Sequence, residues 1–258
     1  MNRIDQLFKN KQEKVLSIYF TAGFPKLEDT RTIMKALEEA GADIIEIGVP
    51  YSDPVADGPT IQESNKVALD NGMSLKKLFS QLEGMRSEIK VPVILMGYLN
   101  PIMQYGIEAF CKKCDEVGVD GIIVPDLPMQ QYLDEYKLIF NEYNLRNTFL
   151  ISPQTSEKRI REIDEYSDGF IYMVSSHSIT GAKEGITDAQ VNYFQAVQAM
   201  ELKSPRLIGF GISDHNTFIK ASTYSNGAII GSAFIKVLQQ ATDLENEIKV
   251  FIKSIKEA

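Results

Sequence analysis

The stretch VPVILM at residues 91–96 is a short run in which every side chain is apolar, and it shows the pattern that decides the fold. An uninterrupted apolar run of this length is typical of a strand that is buried on both faces, as in a parallel sheet. Seven other runs share the pattern: VLSIYF (15–20), ADIIEIG (42–48), VDGIIVP (119–125), NTFLIS (147–152), GFIYMVS (169–175), RLIGFG (206–211) and GAIIGS (227–232). The sequence therefore predicts eight parallel strands.

Longer amphipathic segments separate these runs. In residues 27–41, Ile33, Leu37 and Ala40 follow helical spacing along one face. Ser74 is a candidate N-cap for the next helix. The predicted helices cover 27–41, 74–89, 108–118, 129–144, 156–167, 188–202, 213–225 and 242–258.

The order of these elements indicates the architecture. Eight successive strand–helix units, with no linker between them, favour an α/β fold: a single (β/α)8 TIM barrel over residues 1–258 as one domain. An open doubly wound sheet is the alternative. In a barrel, functional residues lie where strands end and loops begin.

The composition excludes several classes of protein. Hydrophobic residues make up 44% of the 258 residues and charged residues 24%, which excludes a disordered tail, a collagen and a disulfide-stapled mini-protein. The net charge of −8 disfavours nucleic-acid binding as the main function, although backbone N–H groups can still form a local anion site.

No segment resembles an export signal or a membrane span. The longest uncharged stretch, residues 91–107, contains Gly97, Pro101 and Gly106 and falls short of ~20 apolar residues.

Cys111 and Cys114 are the only cysteines, three residues apart in a predicted helix. We interpret them as two reduced thiols, consistent with a cytoplasmic location, with a redox or metal role as the alternative. A zinc site would need two more ligands, and the only histidines, His177 and His215, lie far along the chain.

Two acidic residues follow the second strand run and are the candidate catalytic pair. Glu46 lies inside an apolar strand, where burial raises the pKa of a carboxyl and suits it to proton transfer near neutrality. The alternative is a structural carboxylate satisfied by backbone donors. Asp53 and Asp57 lie among turn-forming residues, and such residues often only shape turns. Asp57 and Glu46 can nevertheless converge on one pocket, because both leave the same strand at its functional end.

Glycines at the ends of the last two strand runs suggest an anion site. Gly209, Phe210 and Gly211 end the seventh run, and Gly231 and Ser232 end the eighth. Glycine lets backbone N–H groups approach a phosphate closely, and phosphate sites after strands seven and eight recur in these barrels. Ordinary turn chemistry is the alternative.

The segment SSHSITGAKEG (175–185) is small, polar and rich in glycine, as active-site lids often are. A plain surface loop explains it equally well. We interpret His177 within it as a solvated loop residue and His215 as part of a helix cap.

The chain resembles the tryptophan synthase alpha subunit family from about residue 16 to residue 238. The motifs that carry the resemblance are YFTAGFP (19–25), IEIGVPYSDPVADGPTIQ (45–62), GYLNPI (97–102), GVDGIIVPDLP (118–128), SSHSITGA (175–182), GFGIS (209–213) and GSAFIK (231–236). The resemblance implies a (β/α)8 lyase that cleaves indole-3-glycerol phosphate to indole and glyceraldehyde 3-phosphate. It also implies that this chain has no cofactor or metal, and that it forms an αββα complex with a beta subunit carrying pyridoxal phosphate.

The resemblance also assigns roles to residues. It implies that Glu46 moves protons between the glycerol hydroxyl and indole C3, while Asp57 accepts from the indole N–H. It places Asp53 and Pro54 at the beta-subunit interface. The substrate-binding residues it implies are Tyr19, Tyr172, Thr180, Gly181, Phe210, Gly211, Gly231 and Ser232. Two details depart from other members: some carry Phe at the position of Tyr19, and SSHS opens the lid where some have SRSG.

Two other classes of function stay open. A different sugar-phosphate barrel enzyme would need a catalytic acid, base or lysine on other strand ends, whereas the acids here follow the second strand. A non-catalytic barrel that only activates a partner would be expected to lack Glu46 or Asp57, and both are present.

Overall fold

The computed structural model describes residues 1–175 and 186–257. Eight parallel strands form a closed barrel in which each strand pairs with the next along the chain and the last pairs with the first. They are β1 (Val15–Thr21), β2 (Ile44–Gly48), β3 (Val93–Met96), β4 (Gly121–Ile123), β5 (Arg146–Ile151), β6 (Ile171–Val174), β7 (Arg206–Gly209) and β8 (Gly227–Ile230). The predicted (β/α)8 barrel is confirmed, and the open sheet is excluded because β8 pairs with β1.

The helices surround the barrel. They are α1 (Arg3–Asn10), α2 (Asp29–Ala40), α3 (Pro59–Asp70), α4 (Leu75–Leu82), α5 (Leu99–Tyr105), α6 (Ile107–Val117), α7 (Met129–Gln131), α8 (Lys137–Glu142), α9 (Glu157–Tyr166), α10 (Asp188–Gln198), α11 (His215–Ser222), α12 (Ser232–Gln240) and α13 (Leu244–Lys256). A π-helical turn, Tyr132–Tyr136, joins α7 to α8. Each predicted helical segment contains a helix, and α1, α3, α5 and α12 are additional.

The helix caps follow the sequence in part. The Ser74 side chain accepts from the backbone N–H of Lys77, so the predicted N-cap is confirmed. At α11 the cap is Asp214, whose side chain accepts from Thr217 N–H. His215 is instead the first residue of the helix, and its Nδ1 lies 2.9 Å from the carbonyl oxygen of Ile255.

The amino end of the barrel is closed by α1 and by a buried ion-pair cluster. Ile4 of α1 is buried, and the buried Asp120 carboxylate pairs with Arg3 at 2.9 Å and Arg86 at 2.5 Å. A carboxylate held by two guanidinium groups is already satisfied, which indicates a structural role. The end that remains for chemistry is the carboxyl end of the strands.

Cys111 and Cys114 are buried on α6 and form no disulfide. Burial raises the pKa of both thiols, that of Cys111 to about 12, which disfavours the thiolate that redox and metal chemistry use. Among the described residues, no cluster of three or more His, Cys, Asp or Glu side chains is arranged to hold a metal ion. The same residues include no helix that is both long and apolar enough to cross a membrane.

Candidate active site

Glu46 is the third residue of β2, and its side chain is fully buried inside the barrel. Neither carboxyl oxygen has a hydrogen-bond partner among residues 1–175 and 186–257. Burial is the main cause that raises the pKa of Glu46 to about 8; the neighbouring Ser17 hydroxyl opposes the rise and the charge of Asp57 adds to it. At neutral pH Glu46 is therefore a neutral acid that holds a proton.

Asp57 lies on the loop between β2 and α3, and its side chain is 6% exposed. The Tyr98 hydroxyl donates to Asp57 Oδ2 over 3.1 Å. Burial raises the pKa of Asp57 to about 6, while hydrogen bonds from Tyr98 and Asn65 hold it down. Asp57 is therefore mostly ionised at neutral pH.

The sequence allowed two interpretations of Asp57, as a turn-forming residue or as one of a pair of carboxyl groups, and the structure shows features of both. Its backbone N–H donates to the Pro54 carbonyl over 3.0 Å, and its own carbonyl accepts from Gln62 Nε2 over 2.8 Å, so the backbone does form a turn. The side chain, however, points inward, where its charge acts on Glu46. The structure thus brings the two predicted carboxyl groups close enough for the charge of Asp57 to act on Glu46, and gives them different protonation states at neutral pH.

Tyr98 is a site residue that the sequence reasoning missed. Its hydroxyl accepts from the Ala56 backbone N–H over 3.0 Å while it donates to Asp57, and its ring centroid lies 5.2 Å from that of Tyr51. The sequence feature that could have indicated Tyr98 is its position, two residues after Met96, at which β3 ends. Because the carboxyl ends of neighbouring parallel strands meet at one edge, this tyrosine faces the loop after β2.

Asp53 and Val55 lie at the outer tip of the same loop. The Asp53 carboxylate accepts from the Ser52 hydroxyl over 2.5 Å and is exposed, and the Val55 side chain is 76% exposed. This tip faces away from the barrel, while Asp57 faces into it. The loop therefore has an inner side for chemistry and an outer side open to a partner.

Tyr19 and Tyr172 are buried tyrosines that point into the barrel from β1 and β6. Each ring occupies space left by a glycine: a Cβ added at Gly48 would overlap the Tyr19 hydroxyl, and one at Gly209 would overlap that of Tyr172. The Tyr172 ring also meets the Phe210 ring edge-on, with centroids 6.3 Å apart. The three aromatic rings give the pocket apolar walls.

The residues of the predicted anion site lie at the ends of β7 and β8. Phe210 and Gly211 both adopt left-handed backbone, with φ of 67° and 77°. The Ser175 hydroxyl donates to the Phe210 carbonyl over 2.6 Å and holds this turn. Gly231 is the N-cap of α12 and Ser232 is its first residue, so the free N–H groups of that helix open at the carboxyl end of the barrel.

The predicted lid residues Thr180 and Gly181, together with His177, lie outside the described residues.

Comparison with known proteins agrees with this geometry. The model of the family described as "Tryptophan synthase alpha chain" matches residues 6–257. The chain is 54% identical over 256 residues to the tryptophan synthase alpha chain of Flavobacterium johnsoniae, covering 99% of this chain and 100% of that protein. It is 53% identical over 256 residues to that of Christiangramia forsetii, covering 99% of each.

Solved structures show the same likeness. Tryptophan synthase from M. tuberculosis is similar with a TM-score of 0.88 and 29% identity, covering 98% of this chain and 96% of that one. A mutant tryptophan synthase alpha subunit from Pyrococcus furiosus is similar with a TM-score of 0.87 and 32% identity, covering 95% and 99% of the two chains.

Proposed function

The chain belongs to the tryptophan synthase alpha chain family, and we propose that Glu46 and Asp57 are its catalytic residues. The activity is that of a lyase, which cleaves indole-3-glycerol phosphate to indole and glyceraldehyde 3-phosphate in tryptophan biosynthesis. One observation carries the assignment of residues. A buried carboxyl group that has no hydrogen-bond partner in the described part of the chain lies beside a carboxylate that has one, and their pKa values lie on opposite sides of neutrality. Two carboxyl groups in such different environments can divide acid and base work.

The proton flow follows from these protonation states. Neutral Glu46 gives its proton to indole C3, and ionised Asp57 accepts a hydrogen bond from the indole N–H and offsets the positive charge that develops on the ring. The Glu46 carboxylate then takes the proton of the glycerol hydroxyl next to the breaking bond. The electron pair of that O–H bond forms the aldehyde carbonyl, and the pair of the broken C–C bond returns to the indole ring. Glu46 ends the cycle protonated, as it began.

The two catalytic pKa values predict the pH dependence of the reaction. The active form has Asp57 ionised and Glu46 protonated, so kcat/KM should rise with pH through about 6 and fall above about 8. Indole release measured from pH 5 to pH 9.5 checks this expectation. A profile that keeps rising above pH 8.5 would show that Glu46 acts only in its ionised form.

We propose that the phosphate group binds at the ends of β7 and β8. The N–H groups around Gly211, Gly231 and Ser232 supply donors and the positive end of the α12 dipole. The aromatic side chains of Tyr19, Tyr172 and Phe210 supply walls for the indole. The pocket thus separates a polar end from an apolar end, as the substrate does. We further propose that Thr180 and Gly181 bind the substrate, as the resemblance implies.

Replacing Gly211 by valine should raise KM for indole-3-glycerol phosphate by more than tenfold. The left-handed backbone at Gly211 disfavours a β-branched residue, and among the described residues a Cβ there comes close only to Ser175 Oγ, at 3.9 Å, so the new side chain would extend toward the proposed phosphate site. Ser232→Ala should have a milder effect, because it removes one hydroxyl. Initial rates against substrate concentration separate the two variants, and an unchanged KM for Gly211→Val would place the phosphate elsewhere.

Alpha chains of this family pair with a beta subunit, and pyridoxal phosphate belongs to that subunit rather than to the alpha chain. We propose an αββα complex in which the exposed loop tip around Asp53, Pro54 and Val55 contacts the beta subunit. We also propose a cytoplasmic location, which the two buried free thiols and the biosynthetic family support.

An indole-release assay tests the proposed function. The purified chain is given indole-3-glycerol phosphate with and without a beta subunit, and indole and glyceraldehyde 3-phosphate are measured in the same sample. We expect both products in equal amounts, with faster turnover when the beta subunit is present. Absence of indole under both conditions would contradict the proposal.

A further inference from the structure

The hydroxyl of Tyr19 is a third polar group facing the catalytic carboxyl groups. In the parallel register of β1 and β2, the Cα of Tyr19 pairs with that of Glu46. Residues paired in this way direct their side chains to the same face of the sheet, here the barrel interior. Both side chains are buried, so Tyr19 and Glu46 are neighbours inside the barrel.

Two glycines fix where the Tyr19 ring lies. A Cβ added at Gly231 would lie 3.5 Å from Tyr19 Cδ1, and a Cβ added at Gly48 would overlap the hydroxyl end of the ring. The ring therefore spans from the end of β8 to β2, and its hydroxyl lies on the side of β2, the strand that carries Glu46.

The environment keeps this hydroxyl protonated. Burial raises the pKa of Tyr19 well above its ordinary value, the charges of Asp57 and Glu46 raise it further, and the Thr21 side chain partly opposes the rise. Among the described residues both Glu46 carboxyl oxygens lack a hydrogen-bond partner. A permanent donor thus lies beside a carboxyl group that must ionise during the reaction.

We propose that Tyr19 donates a hydrogen bond to the Glu46 carboxylate during the interval in which that carboxylate has given up its proton; this rests on the function proposed above. Ionising a buried carboxyl group close to the negative charge of Asp57 is energetically unfavourable. A hydrogen bond from a neutral hydroxyl stabilises the resulting Glu46 carboxylate. No proton leaves Tyr19: its O–H bond stays intact, and Glu46 regains its proton from the glycerol hydroxyl. Tyr19 is therefore a positioning residue that acts through Glu46.

Other groups also face Glu46, namely the Ser17 hydroxyl, the Asp57 carboxylate and the Tyr172 hydroxyl. Tyr172 projects from β6 and its hydroxyl lies over Gly209 of β7, so it is not on a strand adjacent to β2. Tyr19 shares β1 with Ser17, but the Cα of Tyr19 pairs with that of Glu46 whereas the Cα of Ser17 pairs with that of Ile44, which is why we assign the donor role to Tyr19.

The test is the substitution Tyr19→Phe, which removes the hydroxyl and keeps the ring packed against Gly48 and Gly231. We expect kcat to fall about tenfold or more, the scale of a lost hydrogen bond to a charged group, with KM within about twofold. The alkaline limb of the pH profile should move to higher pH, because losing the donor makes the Glu46 anion less stable. Tyr193→Phe is the matched control, since it removes a buried hydroxyl that has no partner among the described residues and lies on α10, outside the barrel.

Unchanged kcat and an unmoved alkaline limb in Tyr19→Phe would overturn the inference. So would finding both effects in Tyr172→Phe while Tyr19→Phe behaves as wild type. Failure of the wild-type chain to release indole would instead overturn the proposed function, so the two failures are distinguishable.

Discussion

Replacing Glu46 by glutamine is expected to lower kcat for the cleavage of indole-3-glycerol phosphate by about 10³–10⁴-fold or more. A positioned acid–base group contributes ~10²–10⁴-fold, and Glu46 performs both proton transfers, to indole C3 and from the glycerol hydroxyl. Glutamine has the same shape and carries no charge, and at neutral pH the buried group that it replaces is also uncharged. The variant should therefore fold normally and fail in chemistry.

Stability gives an independent check on the same variant. The pKa of Glu46 is about 8 in the folded chain and near its ordinary value of 4.5 when unfolded, so the folded state binds more protons between these values. The Glu46 contribution to wild-type stability should therefore decline as pH rises from about 4.5 to about 8, and Glu46→Gln should lack this part of the decline while keeping the part due to Asp57, whose pKa is also raised. Thermal unfolding at pH 9 should find the variant at least as stable as wild type.

The control for this variant is Glu63→Gln, which changes an exposed glutamate on α3. It should leave kcat within about twofold of wild type, as expected for an exposed position away from the pocket. Turnover of Glu46→Gln above a tenth of the wild-type value would refute the assignment of Glu46.

Asp57→Asn is expected to lower kcat by about 10²–10³-fold. An asparagine oxygen can still accept from Tyr98, so the loop should keep its turn, but a neutral amide cannot offset the positive charge on the indole ring. The charge of Asp57 also raises the pKa of Glu46, so removing it should shift the alkaline limb of the pH profile to lower pH. Initial rates from pH 6 to pH 9.5 measure both effects.

Asp70→Asn is the matched control, because Asp70 is exposed at the end of α3. If Asp57→Asn turned over like this control, Asp57 would be a turn residue and the division of roles between the two carboxyl groups would be wrong.

The strands were predictable because each is buried on both faces and is therefore an apolar run. The helices were less predictable where their buried face includes polar side chains. The helix α3 buries Ser64 and Asn65 beside Ile61 and Ala68, and this mixture hides the helical spacing of apolar residues. The fold as a whole could be predicted because eight repeated units leave few other arrangements.

The site was predictable where a residue violates its local pattern. Glu46 is a carboxyl inside an apolar strand, so the sequence alone points to it. Tyr98 does not depart from its local sequence pattern, because a tyrosine after a strand is common. Only the folded loop brings Asp57 to its hydroxyl. The pKa of Glu46 is higher than that of Asp57 because of how deeply each carboxyl group is buried and because Tyr98 donates a hydrogen bond to Asp57. Neither cause is visible in the local sequence pattern.

Direct titration of Glu46 tests the central claim, that a neutral buried carboxyl supplies the proton. Infrared difference spectra of wild type minus Glu46→Gln isolate the carbonyl band of the protonated Glu46 side chain across a range of pH. We predict that the band is present at pH 7 and lost with a midpoint of about 8. A midpoint near the ordinary value of 4.5, with Glu46 already ionised at pH 7, would contradict the account.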